Sequence, residues 1–383
     1  MNKTDYLYLD HAATSPMREV AFDAYKLAEQ NGFANSSGGH ALSRNAKNML
    51  EDARDFVASC FGAAPSEITF TSSGTEADNW IIKTPFLNLD SKNKHIITSQ
   101  IVHEAILGSA EWIADYGVNV DYVPPSKEGV IDIEIFKSKL TSNTDLVSFM
   151  FANNETGILQ PIQELASATK KVSEEILFHS DVVQAVASEK IDFHKLGVDS
   201  AAISGHKIGG PKGIGIMLLS SSVKLPSLLH GGKQELERRA GTVNVTGAVA
   251  FAAALKEQQV NLDVDRKRML KEKNDFEKIL NEKLDIFVVG NNVDRLAHIS
   301  NIQFKGINSE TLMIALDIEG IGVSRGSACA SGAQKPSHVL EAMKVDFEDI
   351  NSHIRFSFGW NTNIGDGRFA AEKVISVVKG LSN

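Results

Sequence analysis

Three segments of the sequence carry side chains that could do chemistry where an apolar run ends. In "FTSSGTEADN" (70–79), small residues join a predicted strand to a predicted helix that begins near Gly74 and Thr75. The free N–H groups and the dipole of such a helix N-terminus favour a phosphate group. A well-capped helix without a ligand is the alternative interpretation.

An aspartate and a lysine follow two later apolar runs. Asp181 ends the run in "FHSDVVQAV" (178–186), where an aspartate is also a common helix cap. Lys207 follows "DSAAISGH" (199–206), and partial burial lowers the pKa of such an amine toward the nucleophilic range. A phosphate cradle, a carboxylate and a lysine together fit pyridoxal phosphate, which forms an imine with the lysine and pairs its pyridinium with the carboxylate.

Other cofactor and metal motifs are incomplete. No GKS or GKT follows the glycines, and "GGPKGIG" (209–215) lacks the third glycine of a dinucleotide fingerprint. "HEAIL" (103–107) has Leu107 where a zinc-protease helix needs its second histidine. The sequence therefore argues against NAD, ATP and zinc, and we predict no metal site.

The two cysteines of the chain lie in unlike settings and form no metal-binding pattern. Cys60 falls in the apolar pattern "ARDFVASCFG" (53–62), which is typical of a packed helix. Cys329 in "SRGSACASG" (324–332) is flanked by small residues, as in an exposed loop. Most lone cysteines are incidental, and a catalytic nucleophile is the alternative for Cys329.

Short β-branched runs alternate with helix-length amphipathic stretches through the first half of the chain. The predicted strands are "EITFT" (67–71), "KHIITS" (94–99), "VNVDYV" (118–123), "LVSFMF" (146–151), "EILFHS" (175–180) and "DSAAIS" (199–204). The stretches between them, such as "HEAILGSAEWIADYG" (103–117), have apolar residues at helical spacing. This alternation predicts an α/β fold with a mainly parallel sheet, in which ligands bind at the carboxyl ends of strands.

The last third of the chain predicts a second, smaller unit. A charged helical stretch over 264–284 forms the expected connection into it. Strands are predicted at "DIFVVG" (285–290), "HISNIQF" (298–304) and "HIRFSFG" (353–359), with helices near 308–318, 337–344 and 365–381. We predict a large domain over 15–258 and a small α+β domain formed by 1–14 and 259–383.

Composition and charge limit the classes of partner. The chain has 383 residues, 43% of them hydrophobic and 23% charged, which is typical of globular proteins. Its formal charge of −9, without a dense Lys and Arg stripe, disfavours direct nucleic-acid binding. The start of the chain lacks a signal-peptide core, and the longest apolar stretch is too short to cross a bilayer. We expect a cytoplasmic protein that does not contact membranes.

Four motifs, in this order, resemble those of the cysteine desulfurases of the NifS/IscS type, which are class V aminotransferases that use pyridoxal phosphate. They are "LDHAATSP" (9–16), "NNETG" (153–157), "SGHKIGGPKGIG" (204–215) and "GSACASG" (326–332). The resemblance extends from Tyr8 to Gly359. It implies the fold type I architecture of aspartate aminotransferase, with a large mainly parallel-sheet domain, helices on both of its faces, and a small α+β domain.

The resemblance also implies a role for each site residue. Lys207 carries the cofactor as an imine, Asp181 pairs with the pyridine nitrogen, and His103 stacks on the ring and moves protons. The other implied cofactor-binding residues surround the ring hydroxyl or the phosphate: Asn154, Gln184, Gly74, Thr75, Ser204, His206 and, from a partner subunit, Thr242. The implied substrate-binding residues are Asn35 and Arg355, whose guanidinium suits a carboxylate.

The reaction implied by the resemblance removes sulfur from L-cysteine. Lys207 takes the Cα proton and Cys329 attacks the substrate sulfur, so that L-alanine leaves and a persulfide stays on Cys329. The implied assembly is a homodimer with shared active sites. A sulfur-acceptor protein, either an iron–sulfur scaffold or a tRNA-thiolation protein, completes the implied set of partners.

Three positions depart from the usual pattern of this family. Ser36 stands where a proline is common, Glu237 replaces a common glycine, and Arg325 replaces a small residue. A selenocysteine lyase, or another class V enzyme acting on a small amino acid, shares the cofactor motifs and is the first alternative. A cofactor-binding scaffold with little turnover is an alternative of a different class, although a scaffold has no chemical need for both Lys207 and Cys329.

Overall fold

The computed structural model describes residues 6–87, 94–326 and 336–381, which form a large sheet, a small sheet and the helices around them. The strands are β1 Leu7–Tyr8, β2 Ile68–Thr71, β3 His95–Ser99, β4 Asn119–Val123, β5 Leu146–Met150, β6 Leu177–Asp181, β7 Ser200–Ser204, β8 Gly215–Leu219, β9 Ile286–Val288, β10 Ile299–Phe304, β11 Ile321–Gly322 and β12 His353–Ser357. The α-helices are α1 Glu19–Asn31, α2 Ala41–Cys60, α3 Gly74–Lys83, α4 Glu104–Ala114, α5 Ile133–Lys139, α6 Ile162–Val172, α7 Phe193–Leu196, α8 Val245–Lys283, α9 Ser309–Ile318, α10 His338–Ala342, α11 Phe347–Ile350 and α12 Asp366–Leu381.

The large sheet has the strand order β2-β8-β7-β6-β5-β3-β4. Its strands from β7 to β4 pair in parallel, whereas β8 runs antiparallel to both of its neighbours. Strands β3, β5 and β7 are buried along their whole length. Parallel strands need crossover connections, and the helices in these connections cover the sheet. The prediction of an α/β fold with a mainly parallel sheet is confirmed.

The ends of two neighbouring strands bring the candidate residues to one edge of the sheet. Asp181 is the last residue of β6, and it pairs with Ala202 of the parallel strand β7. Lys207 lies in the short helical turn Gly205–Ile208 that directly follows β7. Because the carboxyl ends of parallel strands meet at the same edge, Asp181 and Lys207 lie at the place where ligands bind in such folds.

Helix α8 joins the two parts of the molecule. It runs without a break for 39 residues and is about 58 Å long. Phe251, in its first half, packs into the core of the large sheet, and Phe276, in its second half, packs into the core of the small sheet. The expected connection at 264–284 is therefore part of one longer helix. The domain division at 258 and 259 falls inside α8 and stays a prediction.

The start of the chain crosses from the small sheet to the large one. Strand β1 pairs in parallel with β11, close to the antiparallel sheet β12-β10-β9. Asp10 then forms a bridge with Ser357 in β12, and the Ser15 amide donates to the His206 carbonyl at 3.0 Å. Residues 10–15 are thereby held against both sheets. None of the helices that the structure describes has the length and apolar character needed to cross a membrane.

Candidate functional site

Lys207 lies at the centre of the candidate site and is half-buried. Its ammonium donates to the carbonyl oxygens of Ala12 at 2.5 Å and of Ala13 at 2.8 Å. Gly209 ends the turn with a φ of +80°, a left-handed conformation that glycine adopts without the steric cost of a Cβ. The turn therefore directs the amine toward the start of the chain, which lies at the same edge of the sheet.

Asp181 is a buried carboxylate beside this lysine. Its Oδ1 accepts a hydrogen bond from the Val183 amide at 2.9 Å. Burial first, and then the negative charge of Asp78, raise the pKa of Asp181 to about 7, while Lys207 acts in the opposite direction. A carboxylate in such a place gains most from a cationic partner, because the positive charge offsets the cost of its desolvation.

A buried network supports Asp181 from behind. His179 precedes Asp181 by two residues in β6 and therefore lies on the same face of the sheet. Its Nε2 lies 3.1 Å from Asp78 Oδ1 in α3, and its Nδ1 lies 2.9 Å from Ser200 Oγ in β7. Burial raises the pKa of Asp78 to about 8 and lowers the pKa of His179 to about 4. This network is not among the features predicted from the sequence, although the histidine at i−2 from Asp181 is a signal for it.

Helix α3 begins at Gly74, at the same edge of the sheet, where the sequence predicts a phosphate cradle. Ser73 caps the helix and accepts from the Glu76 amide at 3.2 Å, so the N–H groups of Gly74 and Thr75 begin the helix without intrahelical acceptors. A Cβ at Gly74 would lie 2.8 Å from Val183 Cγ2 and 3.6 Å from Ser204 Cβ. The helix start is therefore pressed against the ends of β6 and β7, and only glycine permits this approach.

Two histidines of the site are neutral at pH 7. Burial lowers the pKa of His103 to about 4, and the nearby Lys207 and then His338 act in the same direction. Burial, followed by the effect of Lys207, also lowers the pKa of His206 to about 4. His103 caps α4, and its Nδ1 accepts from the Ala105 amide at 3.1 Å. The proton of the neutral ring is therefore on Nε2, since Nδ1 acts as the acceptor.

Arg355 occupies the middle of β12 in the small sheet and is buried. Its Nη2 donates to Asp10 Oδ1 at 2.7 Å, and its Nη1 donates to the carbonyl oxygen of Asn154 at 2.9 Å. Asn154, which the sequence analysis places near the cofactor ring, thus lies next to the residue placed at the substrate carboxylate. The structure brings residues from both sheets to one place.

Asn35 and Thr242 are exposed on loops and lie outside this buried cluster. Asn35 Oδ1 accepts from the Ser37 amide at 2.9 Å, within its own turn.

Cys329 lies outside the described residues. Cys60 ends α2 half-buried, and burial raises the pKa of its thiol to about 11, which disfavours the nucleophilic thiolate. The departure at Arg325 gives an ion pair, with Nη1 at 3.6 Å from Glu310 Oε2.

Comparison with known proteins assigns this arrangement to a family. The family model described as Aminotransferase class-V matches residues 7–366. This chain belongs to that family. Cysteine desulfurase IscS of Dictyoglomus turgidum is 36% identical over 98% of this chain and 95% of the relative. The solved structure of a NifS-like protein superposes with a TM-score of 0.92 at 32% identity, covering 98% of this chain and all of the other.

A third similarity concerns a solved structure of SspA in complex with cysteine. It has a TM-score of 0.82 and 29% identity, and the match covers 92% of this chain and 99% of SspA. The assignment to the cysteine desulfurases of the NifS/IscS type and to their fold is confirmed. The relatives favour this group over a selenocysteine lyase and over a scaffold with little turnover.

Enzymes of this family depend on pyridoxal phosphate, and the described residues fit this cofactor. The raised pKa of Asp181 matches the need for a cation such as a protonated pyridine nitrogen. The close approach at Gly74 leaves a helix N-terminus for the phosphate against Ser204, three residues before Lys207. Among the residues the structure describes, no cluster of three or more His, Cys, Asp or Glu side chains could hold a metal ion.

A segment near the start of the chain, to which the sequence motifs assign no role, makes many of the contacts in the site. We call residues 10–15 the N-terminal strap. The Ala12 carbonyl accepts from Lys207 and, at 2.9 Å, from Gln184 Nε2. Thr14 Oγ1 lies 3.1 Å from His206 Nδ1, and Asp10 pairs with Arg355. Small residues and backbone carbonyls make most of these contacts, which explains why the residue types alone did not reveal the role of the strap.

The loop over 230–242, which carries Thr242, is anchored to the start of α3. Arg54 in α2 makes a bidentate ion pair with the buried Glu235, at 2.9 and 2.7 Å. Arg239 Nε donates to Glu76 Oε1 at 2.9 Å. Between these anchors, three consecutive residues, from Glu235 to Glu237, have positive φ angles of 48°, 58° and 65°. The departure at Glu237 thus places a residue with a Cβ in left-handed backbone.

Glu237→Gly is expected to stabilise the protein by about 0.5–1 kcal/mol, because glycine relieves the left-handed strain and loses part of that gain to the greater freedom of the unfolded chain. The Glu237 side chain forms an exposed ion pair with Lys233, which contributes little. Thermal unfolding of the two proteins measures the effect. Glu237→Ala is the matched control, since it removes the same ion pair and retains the strain. An equal rise in melting temperature for both variants would show that backbone strain is not the cause.

Proposed function

We propose that this chain transfers the sulfur of L-cysteine to Cys329, releases L-alanine, and passes the sulfur from the Cys329 persulfide to an acceptor. The enzyme is a cysteine desulfurase that depends on pyridoxal phosphate. The observation that carries the proposal is the N-terminal strap, which joins Lys207 of the large sheet to Arg355 of the small sheet. An amino acid bound at Arg355 would present its carboxylate close to the lysine.

The residues of the large sheet hold the cofactor in this proposal. Lys207 would attach the cofactor covalently, and Asp181 would pair with its protonated pyridine nitrogen. When bound, the cofactor supplies an electron sink for the negative charge that develops at the substrate Cα. Gly74, Thr75, Ser204 and His206 would hold the phosphate together with Thr242 of the partner subunit, and Asn154 and Gln184 would bind near the ring hydroxyl.

Lys207 and His103 move the protons. The amine of Lys207 takes the proton from the substrate Cα, and the Ala12 and Ala13 carbonyls hold this amine in position. His103 would lie against the cofactor ring. Its Nε2–H is available to donate because Nδ1 is engaged with the helix N-terminus. Arg355 holds the substrate carboxylate, which fixes the Cα–H bond relative to the lysine, and Asn35 is the second substrate-binding residue of the proposal.

Cys329 accepts the sulfur. Its thiolate forms an S–S bond with the substrate sulfur while the Cβ–S bond of the substrate breaks. The electron pair of that bond stays with the substrate carbon skeleton, which gains protons and leaves as L-alanine. The thiolate of Cys329 is thereby oxidised to the persulfide level and the carbon skeleton is reduced. Transfer to an acceptor thiol restores Cys329.

The partners in the proposal are a second copy of the chain and a sulfur acceptor. Exposed apolar side chains on α1, among them Phe22 and Leu27, support a homodimer, because such residues gain free energy when a partner covers them. Thr242 is exposed and therefore accessible to a neighbouring subunit. The acceptor is an iron–sulfur scaffold or a tRNA-thiolation protein of the cytoplasm.

The test is anaerobic incubation of the purified holoenzyme with L-cysteine. We expect L-alanine in solution and one added sulfur atom in the intact mass of the wild type, and neither product for Cys329→Ala. Cys60→Ala is the matched control, because its thiol is packed at the end of α2 and is expected to leave both readouts unchanged. L-Alanine formed equally well by Cys329→Ala would contradict the persulfide step.

A further inference from the structure

Arg355 already has an anionic partner in this protein. Asp10 Oδ1 lies 2.7 Å from its Nη2, and the side chains of Arg355 and Asp10 are 2% and 20% exposed. An ion pair with so little access to water is weakly screened. A substrate carboxylate that approaches Arg355 therefore meets a guanidinium whose charge is largely neutralised.

The remaining donors of Arg355 show that its pairing is incomplete. Nη1 donates to the carbonyl oxygens of Asn154 at 2.9 Å and of Gly326 at 3.4 Å. Nε is buried and has no hydrogen-bond partner among the residues that the structure describes. Asp10 contacts the guanidinium through one oxygen, whereas a carboxylate can engage two donors of an arginine at once. The guanidinium thus retains the capacity to bind a second anion.

We propose that Asp10 is a resident anion of the substrate-carboxylate site and that it lowers the affinity of this enzyme for amino-acid carboxylates by competing for Arg355. The inference rests on the proposed function, because it takes Arg355 as the residue that binds the substrate carboxylate. Asp10 is a specificity-determining residue in this account. It reduces the advantage that any carboxylate has over a neutral ligand of the same shape.

The surroundings of Asp10 allow its charge to be changed without release of the N-terminal strap. The Tyr8 hydroxyl shares its single proton between the carbonyl oxygens of Asp10, at 3.0 Å, and of Thr14, at 2.8 Å. The Ala12 amide donates to Ser357 Oγ at 2.9 Å. These bonds hold the backbone of the strap, and none of them involves the Asp10 carboxylate. A neutral side chain of the same shape at position 10 therefore leaves the strap in place.

The experiment compares binding of L-alanine, which has a carboxylate and no thiol, with binding of cysteamine, which has a thiol and no carboxylate. Calorimetric titration of the holoenzyme gives the dissociation constants. Asp10→Asn is expected to tighten L-alanine binding by about tenfold, since one like charge is removed at close range, and to change cysteamine binding by less than about twofold. Asp10→Glu, which keeps the charge, is the matched control and is expected to show no tightening. Unchanged or weaker L-alanine binding by Asp10→Asn would overturn the inference.

Two further measurements separate this inference from the proposed function. Arg355→Gln removes the guanidinium; if L-alanine binding does not weaken, Arg355 does not hold the carboxylate and the proposed function is wrong at this residue. If Arg355→Gln weakens binding and Asp10→Asn does not tighten it, only the role of Asp10 fails. If Asp10→Asn does not fold, the wild-type enzyme provides the test through its affinities for L-alanine and for the neutral L-alaninamide. L-Alanine is expected to bind less than about tenfold more tightly than L-alaninamide. A larger ratio of the two dissociation constants contradicts neutralisation of Arg355.

Discussion

Lys207→Ala is expected to lower desulfurase turnover by at least about a thousandfold and to abolish the visible absorption band of the covalently attached cofactor. The variant loses the nucleophile that attaches the cofactor and the base that takes the substrate Cα proton. These are two separate chemical functions of one amine, so their losses combine. Absorption spectra and L-alanine production from L-cysteine measure the two effects.

Lys207→Arg is the control for the position of the positive charge. A guanidinium can still donate to the Ala12 and Ala13 carbonyls, but it does not form an imine at neutral pH. We expect this variant to fold as well as the wild type and to lack the band. A wild-type band in either variant would show that another amine binds the cofactor and would overturn the assignment of Lys207.

Asp181→Asn is expected to stabilise the cofactor-free protein at pH 8.5 by roughly 2–4 kcal/mol and to weaken cofactor binding. Burial and Asp78 raise the pKa of Asp181 from 3.8 to about 7 in the folded protein. The folded state therefore binds a proton more tightly than the unfolded state. The contribution of the protonated Asp181 to stability is complete below about pH 4 and is lost as the pH rises through 7. The charged carboxylate therefore destabilises the fold at pH 8.5.

Denaturant unfolding of the cofactor-free proteins between pH 4 and 8.5 measures this effect. The gain from Asp181→Asn is expected to shrink as the pH falls toward 4. Asp192→Asn is the opposite control: hydrogen bonds from Lys195 lower the pKa of Asp192, so its charge stabilises the fold above the unfolded pKa. A titration with pyridoxal phosphate reports the second effect. A stability gain at pH 8.5 without loss of cofactor affinity would contradict the pairing of Asp181 with the cofactor.

The sequence by itself determined six of the seven strands of the large sheet and the residues that follow them, whereas β8 was not among the predicted strands. The runs over 175–180 and 199–204 predicted β6 and β7 to within two residues of their observed bounds, because buried parallel strands are short, continuous and apolar. Once both strands are parallel neighbours, Asp181 and Lys207 must meet at one edge. The family assignment followed from the same local motifs. The sequence did not show that α8 is one helix, because its apolar and charged halves pack against different cores.

Only the tertiary structure decided which distant residues complete the site. The N-terminal strap touches Lys207 through backbone carbonyls nearly 200 positions away, and backbone groups leave no mark in a residue pattern. The pairs Asp78–His179 and Asp10–Arg355 join residues whose separations of 101 and 345 positions are set by packing. Each of these side chains has an ordinary local role as a helix, strand or turn residue. Their charges become important because the fold removes water from both partners at the same place.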